Sequence, residues 1–323
     1  MTLRAYIAGI VLCVAAASAD AAPVAYGESL GTYNKVSQSA LYRIDLATRV
    51  ATLVGPSGAG PVGPVNGLYP FNVRGLSFDP QGQLYAVSED TETLLQVNRL
   101  NGAVTPVGAL KLSGPGVPTA QFLDLSMAIT CDGKAWLASA GTGNFWQVNT
   151  STGATTLIGS TGGTITGLAA NGNTLYATGS RGDASLYTIN TANAKLVAVG
   201  AYGGTTGAVR TISPSFDSTG QLWAILDNIP GYPSSSAANE QWSNLAQIGG
   251  NGAMNKLGAI TGPAALDSEG LVGLAISPPT CATTGGAGPG DEIHAAPTTS
   301  WLGLWILALL LIAFAARNTV PKP

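Results

Sequence analysis

The chain has 323 residues, of which 43 are glycine and only 10% are charged, and its formal net charge is −3. A charge this low, without a basic stripe, argues against nucleic acid as a partner. The single histidine, His294, lies in a segment rich in Gly, Ala, Thr and Pro. Chemistry that depends on histidine is therefore excluded from the rest of the chain. We expect no enzymatic activity, no bound metal and no cofactor.

Residues 1–21 have the features of a secretory signal peptide. Arg4 supplies a positive charge, Ala5–Ala17 is apolar, and small residues at positions 17, 19 and 21 form small-x-small cleavage sites. We therefore predict export through the Sec pathway and removal of this leader. An uncleaved membrane anchor is the alternative interpretation.

A repeated unit of four apolar runs follows, and its clearest copy is Arg74–Gly108. The first two runs flank the turn Asp79–Gly82, and the last two flank Leu100-Asn101-Gly102. Short β-branched and aromatic runs bounded by Gly, Pro, Asn and Asp predict β-hairpins. Four strands in roughly 40 residues are the size of one β-propeller blade.

The second hairpin of this unit recurs five times, each copy ending in a glycine: Gly55, Gly108, Gly159, Gly200 and Gly258. This count predicts an all-β fold, a five-bladed propeller over residues 24–279. Six blades are the alternative if Ile229–Trp242 contains half a blade, and an open β-sandwich is the alternative fold. In the copy Leu41–Gly55, LYRIDLATRVATLVG, the unit resembles the "LY-x-ID-x-x-TG" propeller repeats of exported bacterial proteins. That resemblance implies the fold and leaves the activity open.

The two ends of the repeat region complement each other. The first copy has no inner strand before it, whereas the last copy is followed by an extra one, Leu271–Pro278. Within it, GLAISP (273–278) matches GLSFDP (75–80). We predict that this C-terminal strand becomes the innermost strand of blade one and closes the ring, which leaves no free sheet edge around it.

Two cysteines remain after removal of the leader, Cys131 and Cys281. Each follows an inner strand of the repeat, so both are expected on the same face of the ring. An even pair in an exported protein favours a disulfide. Because the two belong to blades that are not adjacent, two free thiols are the alternative.

The long connections of the repeat region are predicted to lie on one face, at which the inner strands begin. These connections are Pro56–Phe71, Ala109–Phe122 and Ile229–Trp242. Arg74, Asp124 and Arg210 each stand at the start of an inner strand. We therefore predict that these three residues surround the mouth of the central channel and bind a saccharide or a surface protein. Loops that merely cap the ring are the alternative.

An acidic cluster, Glu89-Asp90-Thr91-Glu92, lies in a loop of blade two. Carboxylate oxygens are the ligands that Ca²⁺ prefers, so a calcium site in this loop is one interpretation. The alternative function is a calcium-dependent propeller hydrolase of the lactonase type, whose calcium would be held by carboxylates at the mouth of the channel, where Asp124 is the one carboxylate predicted beside arginines. The simpler interpretation is a solvated loop, and we predict no metal site here.

The C-terminal region begins with a linker, residues 280–297, whose composition predicts flexibility. The apolar run Trp301–Ala316 follows, and Arg317 and Lys322 come after it. This order predicts a single transmembrane helix within residues 298–323, with a cytoplasmic tail.

The sequence before that helix, Ala296-Pro297-Thr298-Thr299-Ser300-Trp301, resembles the C-terminal sorting signals of the IPTL-CTERM type, whose signature is Ile-Pro-Thr-Leu-Ser-Glu-Trp. Pro297, Thr298, Ser300 and Trp301 agree with it, whereas Ala296 and Thr299 replace Ile and Leu, and the Glu is missing. The resemblance implies a sorting transpeptidase of the exosortase type as a partner, and a place in the cell envelope or at the cell surface. A plain membrane anchor is the alternative.

Overall fold

The computed structural model describes residues 23–29, 39–57, 72–117, 123–180, 182–203, 209–228, 243–263, 270–277, 279 and 281. The predicted signal peptide, the predicted linker apart from Cys281, and the predicted segment 298–323 lie outside these residues. So do most of the connections Pro56–Phe71 and Ile229–Trp242, and residues 118–122 of the connection Ala109–Phe122. Within the described part, no helix is long and apolar enough to cross a membrane.

The described residues form twenty strands in five antiparallel four-stranded sheets. Blade one contains β1 (Val24–Ser29), β2 (Ala40–Ile44) and β3 (Ala51–Pro56); blade two contains β4 (Val73–Phe78), β5 (Leu84–Ser88), β6 (Thr93–Val97) and β7 (Val104–Ala109). Blade three contains β8 (Leu125–Ile129), β9 (Ala135–Ser139), β10 (Asn144–Val148) and β11 (Thr155–Ser160); blade four contains β12 (Ile165–Asn171), β13 (Thr174–Gly179), β14 (Ser185–Ile189) and β15 (Leu196–Ala201). Blade five contains β16 (Val209–Phe216), β17 (Leu222–Asn228), β18 (Ser243–Ile248) and β19 (Met254–Ala259), and β20 (Leu271–Ser277) returns to blade one. The predicted five-bladed, all-β propeller is confirmed.

Strand β20 pairs with β1 in an antiparallel ladder, in which Val24 lies opposite Ser277 and Ser29 opposite Leu271. The strand order of this sheet is β20-β1-β2-β3, whereas each of the other four sheets consists of consecutive strands. A strand from the C-terminal end of the repeat region therefore supplies the inner position of blade one.

The inner strands approach one another too closely at the central axis for large side chains. A β carbon at Gly75 would lie 2.8 Å from the amide nitrogen of Met127, and one at Gly167 would lie 2.1 Å from the carbonyl oxygen of Ile212. Each inner strand contributes a glycine or serine to the lining of a pocket between them, beside larger side chains such as those of Leu76, Met127 and Leu168; the small residues are Gly75, Ser126, Gly167, Ser213 and Gly273. The channel is narrow because backbone packs against backbone there.

Three of the five glycines that end the second hairpins, Gly55, Gly108 and Gly200, pack tightly against the outer turn of the next blade. A β carbon at Gly55 would lie 2.0 Å from the carbonyl oxygen of Asn101, and one at Gly108 would lie 2.1 Å from that of Thr152. The same contact joins Gly200 to Asn251, again at 2.0 Å. The repeated glycine of the sequence therefore marks the place where one blade docks on the next.

Cys131 and Cys281 form a disulfide, with their Cα atoms 5.2 Å apart. Cys131 follows β8 in blade three, and Cys281 follows β20 in blade one. The bridge therefore joins two blades that are not neighbours, at the end of the channel where the inner strands finish. Pro279 and Cys281 line a cavity of about 40 Å³ there, together with residues of all five inner strands.

Glu28, in β1, is fully buried. Neither of its carboxylate oxygens, nor the hydroxyl of Ser57, has a hydrogen-bond partner among the described residues. Burial raises the pKa of Glu28 to about 8, and the nearby Ser57 hydroxyl offsets only a small part of that rise. Glu28 is therefore mostly protonated in the folded protein at neutral pH.

Gly102→Ala should destabilise the protein far more than a similar change at an open turn. Gly102 has a φ of 74°, and its β carbon would lie 2.3 Å from the carbonyl oxygen of Gly55 in the neighbouring blade. The control is Gly162→Ala, because Gly162 has a φ of 71° but no described atom within 4 Å of an added β carbon.

The left-handed conformation alone costs about 1–2 kcal/mol in either variant. The clash should add more than about 2 kcal/mol for Gly102→Ala. Urea denaturation measures both losses. Equal losses in the two variants would contradict the docking of blade one on blade two through this turn.

Glu28→Gln should remove a pH dependence of the free energy of unfolding. The folded-state pKa of about 8 lies above the ordinary value of 4.5. The folded state therefore keeps a proton that the unfolded state loses, and stability falls as pH rises from the lower value through the higher one. Glutamine has no such proton. Urea titrations should show little difference between variant and wild type near pH 4, and an advantage for the variant of about 5 kcal/mol near pH 9, since about 3.5 pKa units at about 1.36 kcal/mol each separate the two states. Parallel pH profiles would rule out a buried, protonated Glu28.

Candidate binding site at the mouth of the channel

The inner strands all begin at one end of the channel, which we call the mouth. A pocket of about 20 Å³ lies there on the axis and is lined by residues of every inner strand, among them Arg74, Ser126, Thr166, Thr211 and Ser213. This volume accommodates about one water molecule. An organic ligand therefore has no room inside the channel and would have to bind across the mouth.

Arg74 is the centre of a charged network at the mouth, and its side chain is only 9% exposed. Its Nε donates to Oδ1 of Asn72 at 2.8 Å and lies 3.1 Å from Oε2 of Glu89. Its Nη1 donates to Oδ1 of Asp124 at 2.6 Å. Two of the three predicted site residues, Arg74 and Asp124, are thus brought together across 50 residues of sequence.

Glu89 links the second blade to the start of the third. Its Oε2 accepts a hydrogen bond from Nδ2 of Asn72 at 2.9 Å. Its Oε1 accepts from the backbone N–H groups of Leu123 and Asp124, the latter at 2.6 Å. Hydrogen bonds to a charged group are about twice as strong as neutral ones. Glu89 therefore fixes the backbone that carries Asp124 and, at the same time, orients Arg74.

Asn72 and Asp124 both adopt left-handed backbone conformations, with φ values of 51° and 47°. Asparagine and aspartate tolerate this region better than other residues with a β carbon. Ser139 Oγ donates to the carbonyl oxygen of Leu123 at 2.6 Å and the amide of Ala140 donates to that of Asp124 at 3.2 Å. Leu123 and Asp124, the two residues before β8, are thus held in place by hydrogen bonds to their neighbours.

Arg210, the third predicted residue, forms a separate ion pair in blade five. Its Nε donates to Oδ2 of Asp227 at 2.8 Å, and its Nη2 donates to the same oxygen. Burial raises the pKa of Asp227, and the guanidinium groups of Arg210 and Arg74 offset part of this rise. Arg74 and Arg210 both lie in the first two residues of an inner strand, β4 and β16 respectively.

Glu89 and Asp227 are the partners that the sequence analysis did not assign to the mouth. The local pattern around Glu89 indicates only an acidic loop. An available signal was the match between QLYAVSE (83–89) and QLWAILD (221–227), which puts both carboxylates at the end of the second strand of a blade. In an antiparallel blade that end lies beside the start of the inner strand, where Arg74 and Arg210 stand.

The network is poorly suited to a calcium ion. Glu89, Asp124 and Asp227 are each paired with a guanidinium group, so a cation would lie close to two positive charges. Within the described ranges, no group of three or more His, Cys, Asp and Glu side chains is placed to hold a metal ion.

Comparison with known proteins gives no family for this chain: no family model and no curated protein matches it. Among solved structures, similar folds occur in a nidogen/laminin complex (11% identity, 79% of this chain and 98% of that chain, TM-score 0.46). A Bacteroides thetaiotaomicron VPI-5482 protein of unknown function is similar at 13% identity over 61% of this chain and 55% of that chain, with a TM-score of 0.42. Virginiamycin B lyase from Staphylococcus aureus is similar at 11% identity over 73% and 71%, with a TM-score of 0.39. These similarities are similarities of fold alone.

Glu89→Gln should destabilise the protein by about 3 kcal/mol. The change removes the buried negative charge that pairs with Arg74 and accepts hydrogen bonds from two backbone amides. Its control is Lys134→Gln, which breaks the exposed pair between Lys134 Nζ and Asp132 Oδ2 (2.6 Å, with the lysine side chain 53% exposed). That loss should be below about 1 kcal/mol. Thermal and urea unfolding measure both variants. If Glu89→Gln proves as mild as the control, the network does not organise the mouth.

Proposed function

We propose that this protein is an exported β-propeller, held at the cell envelope or surface through its C-terminal segment, whose mouth binds a saccharide or a surface protein. The observation that carries the binding part is the network around Arg74, in which side chains from two blades are fixed at the channel axis.

The network leaves polar atoms unused at the mouth. Among the described residues, none accepts a hydrogen bond from Nη2 of Arg74 or Nη1 of Arg210, and none donates to Oδ2 of Asp124. The side chains of Asp124 and Arg210 are each 19% exposed. The mouth therefore combines unused donors with an unused acceptor, which suits hydroxyl groups that both donate and accept.

The same network also lowers the entropic cost of binding. A charged side chain that moves freely before a ligand arrives loses rotamer freedom when it binds that ligand. This loss costs about 0.5–1.5 kcal/mol of binding free energy per side chain. Arg74 and Asp124 have already lost that freedom through their mutual ion pair. A preformed polar surface of this kind supports a role in binding, and we propose no catalytic residue.

Export is supported by the leader sequence and by the disulfide between Cys131 and Cys281, because disulfides persist mainly in oxidising compartments. Sorting and membrane attachment are supported by Pro297, Thr298, Ser300 and Trp301 and by the apolar run that begins at Trp301.

We also infer that β20 closes the ring of blades. Its pairing with β1 supports this closure. Blades five and one are further joined by hydrogen bonds from the amide of Ala51 to the carbonyl oxygen of Thr261 at 2.7 Å and from the amide of Thr261 to that of Arg49 at 3.0 Å.

Removal of the mouth side chains should abolish ligand binding. An array of neutral and acidic saccharides should retain the wild-type protein on at least one member. Asp124→Asn combined with Arg210→Gln should weaken that binding at least about tenfold, because two polar contacts are altered. The triple variant Arg74→Ala, Asp124→Ala, Arg210→Ala should remove it, with circular dichroism as the check of folding.

Lys134→Gln, in a turn at the opposite end of the blades, is the control and should bind as the wild type does. Unchanged binding in the triple variant would exclude the mouth as the site. Binding and melting temperature should be insensitive to calcium and to a chelator; a rise in melting temperature with calcium would favour the hydrolase alternative instead.

Mass spectrometry of the mature protein from its native host tests export and sorting. We expect an N-terminus near residues 20–22 and, in the released fraction, a C-terminus between Pro297 and Trp301. An intact Pro323 in the membrane fraction alone would indicate a permanent anchor without sorting. A chain that still begins at Met1 in the cytosol would contradict export.

A further inference from the structure

The chain after β20 crosses the end of the channel opposite the mouth. Pro279 and Cys281 line a cavity there together with residues of all five inner strands. Cys281 is bonded to Cys131, the second residue after the end of β8 in blade three. The C-terminal segment is thus fastened to a blade other than the one to which β20 belongs.

Strand β20 has one hydrogen-bonded neighbour in its sheet, β1. Side chains of blade five also bind its first half: the amide of Leu271 donates to Ser243 Oγ at 2.7 Å, and the amide of Gly273 donates to Ser213 Oγ at 2.9 Å. Its last residue, Ser277, lies opposite Val24 in the ladder with β1. The chain leaves the strand at this residue, so a pull on the C-terminal segment would reach this end of the ladder first.

We propose that the Cys131–Cys281 bridge is a clamp that keeps the C-terminal end of β20 from peeling away from β1, and that it passes any pull on the C-terminal segment to blade three. A pull on an unbridged segment would open the ladder between β20 and β1 one residue pair at a time. With the bridge present, the same pull acts on Cys131 before it reaches Ser277.

Blade three is suited to receive that pull, because its turn is itself bonded to blade four. The amide of Cys131 donates to the carbonyl oxygen of Gly172 at 3.0 Å. The amide of Asp132 donates to Oδ1 of Asn173 at 2.9 Å. A pull on Cys281 is therefore shared by two blades, neither of which contains β20.

The alternative role of the bridge is to restrict only the unfolded chain, since it closes a loop across a sequence separation of 150 residues. The two roles differ in where stability is lost when the bridge is removed. A restriction of the unfolded chain affects all strands alike, whereas a clamp protects β20 more than the others.

Hydrogen exchange of the full mature chain distinguishes these roles. Amide exchange is compared in β20 and in β12, an inner strand of blade four, with the bridge intact, after reduction, and in Cys131→Ser/Cys281→Ser. The two bridge-free forms serve as controls for each other, since only the variant carries two half-buried hydroxyls in place of the thiols. We expect exchange in β20 to accelerate at least about tenfold more than exchange in β12, because only β20 gains a local opening.

Equal acceleration of amide exchange in β20 and β12 would overturn the proposal that the bridge is a clamp. Global unfolding of both bridge-free forms would overturn it too, because both strands would then exchange by the same route. The part of the proposal in which the bridge passes a pull to blade three rests on the proposed attachment of the protein through its C-terminal segment. The exchange ratio itself requires neither a ligand nor a membrane, so its failure would be separate from failure of the binding or sorting experiments.

Discussion

The close approach of the five inner strands is the constraint on which the rest of this structure depends. At Gly75 and Gly167 a β carbon would overlap backbone atoms of the next inner strand. Glycine and serine at the axis therefore permit the blades to meet, and the pocket at the mouth holds about one water molecule. Since no ligand fits inside, the two ends of the channel become the places where the molecule can interact.

The two ends of the channel differ in the residues that form them. The mouth carries paired charges, because the starts of the inner strands and the ends of the second strands meet there, and Arg74, Asp124 and Glu89 stand at those strand ends. Burial makes each of these charges costly unless it is paired, so the network is rigid as well as polar. The opposite end consists of tight turns and is crossed by the segment that contains Pro279 and Cys281.

Such a division suits a protein that is held at one side and binds at the other. The disulfide fastens the C-terminal segment to blade three, at the end of the channel away from Arg74. The blades are docked on one another at Gly55, Gly108 and Gly200, where backbone contacts leave little freedom for relative motion.

The sequence by itself determined the strands, their turns and the number of blades, because alternating apolar runs and turn residues such as Asn101-Gly102 act over a few neighbouring residues. It also placed Arg74 and Asp124 at one end of the inner strands, since the direction of each strand follows from the order of the repeat. Only the tertiary structure decided that Glu89 and Asp227 pair with the arginines, and that Cys281 reaches Cys131 in a blade that is not adjacent. Those contacts depend on how closely the blades pack and on the path of the chain after β20. Neither property is encoded in a pattern of neighbouring residues.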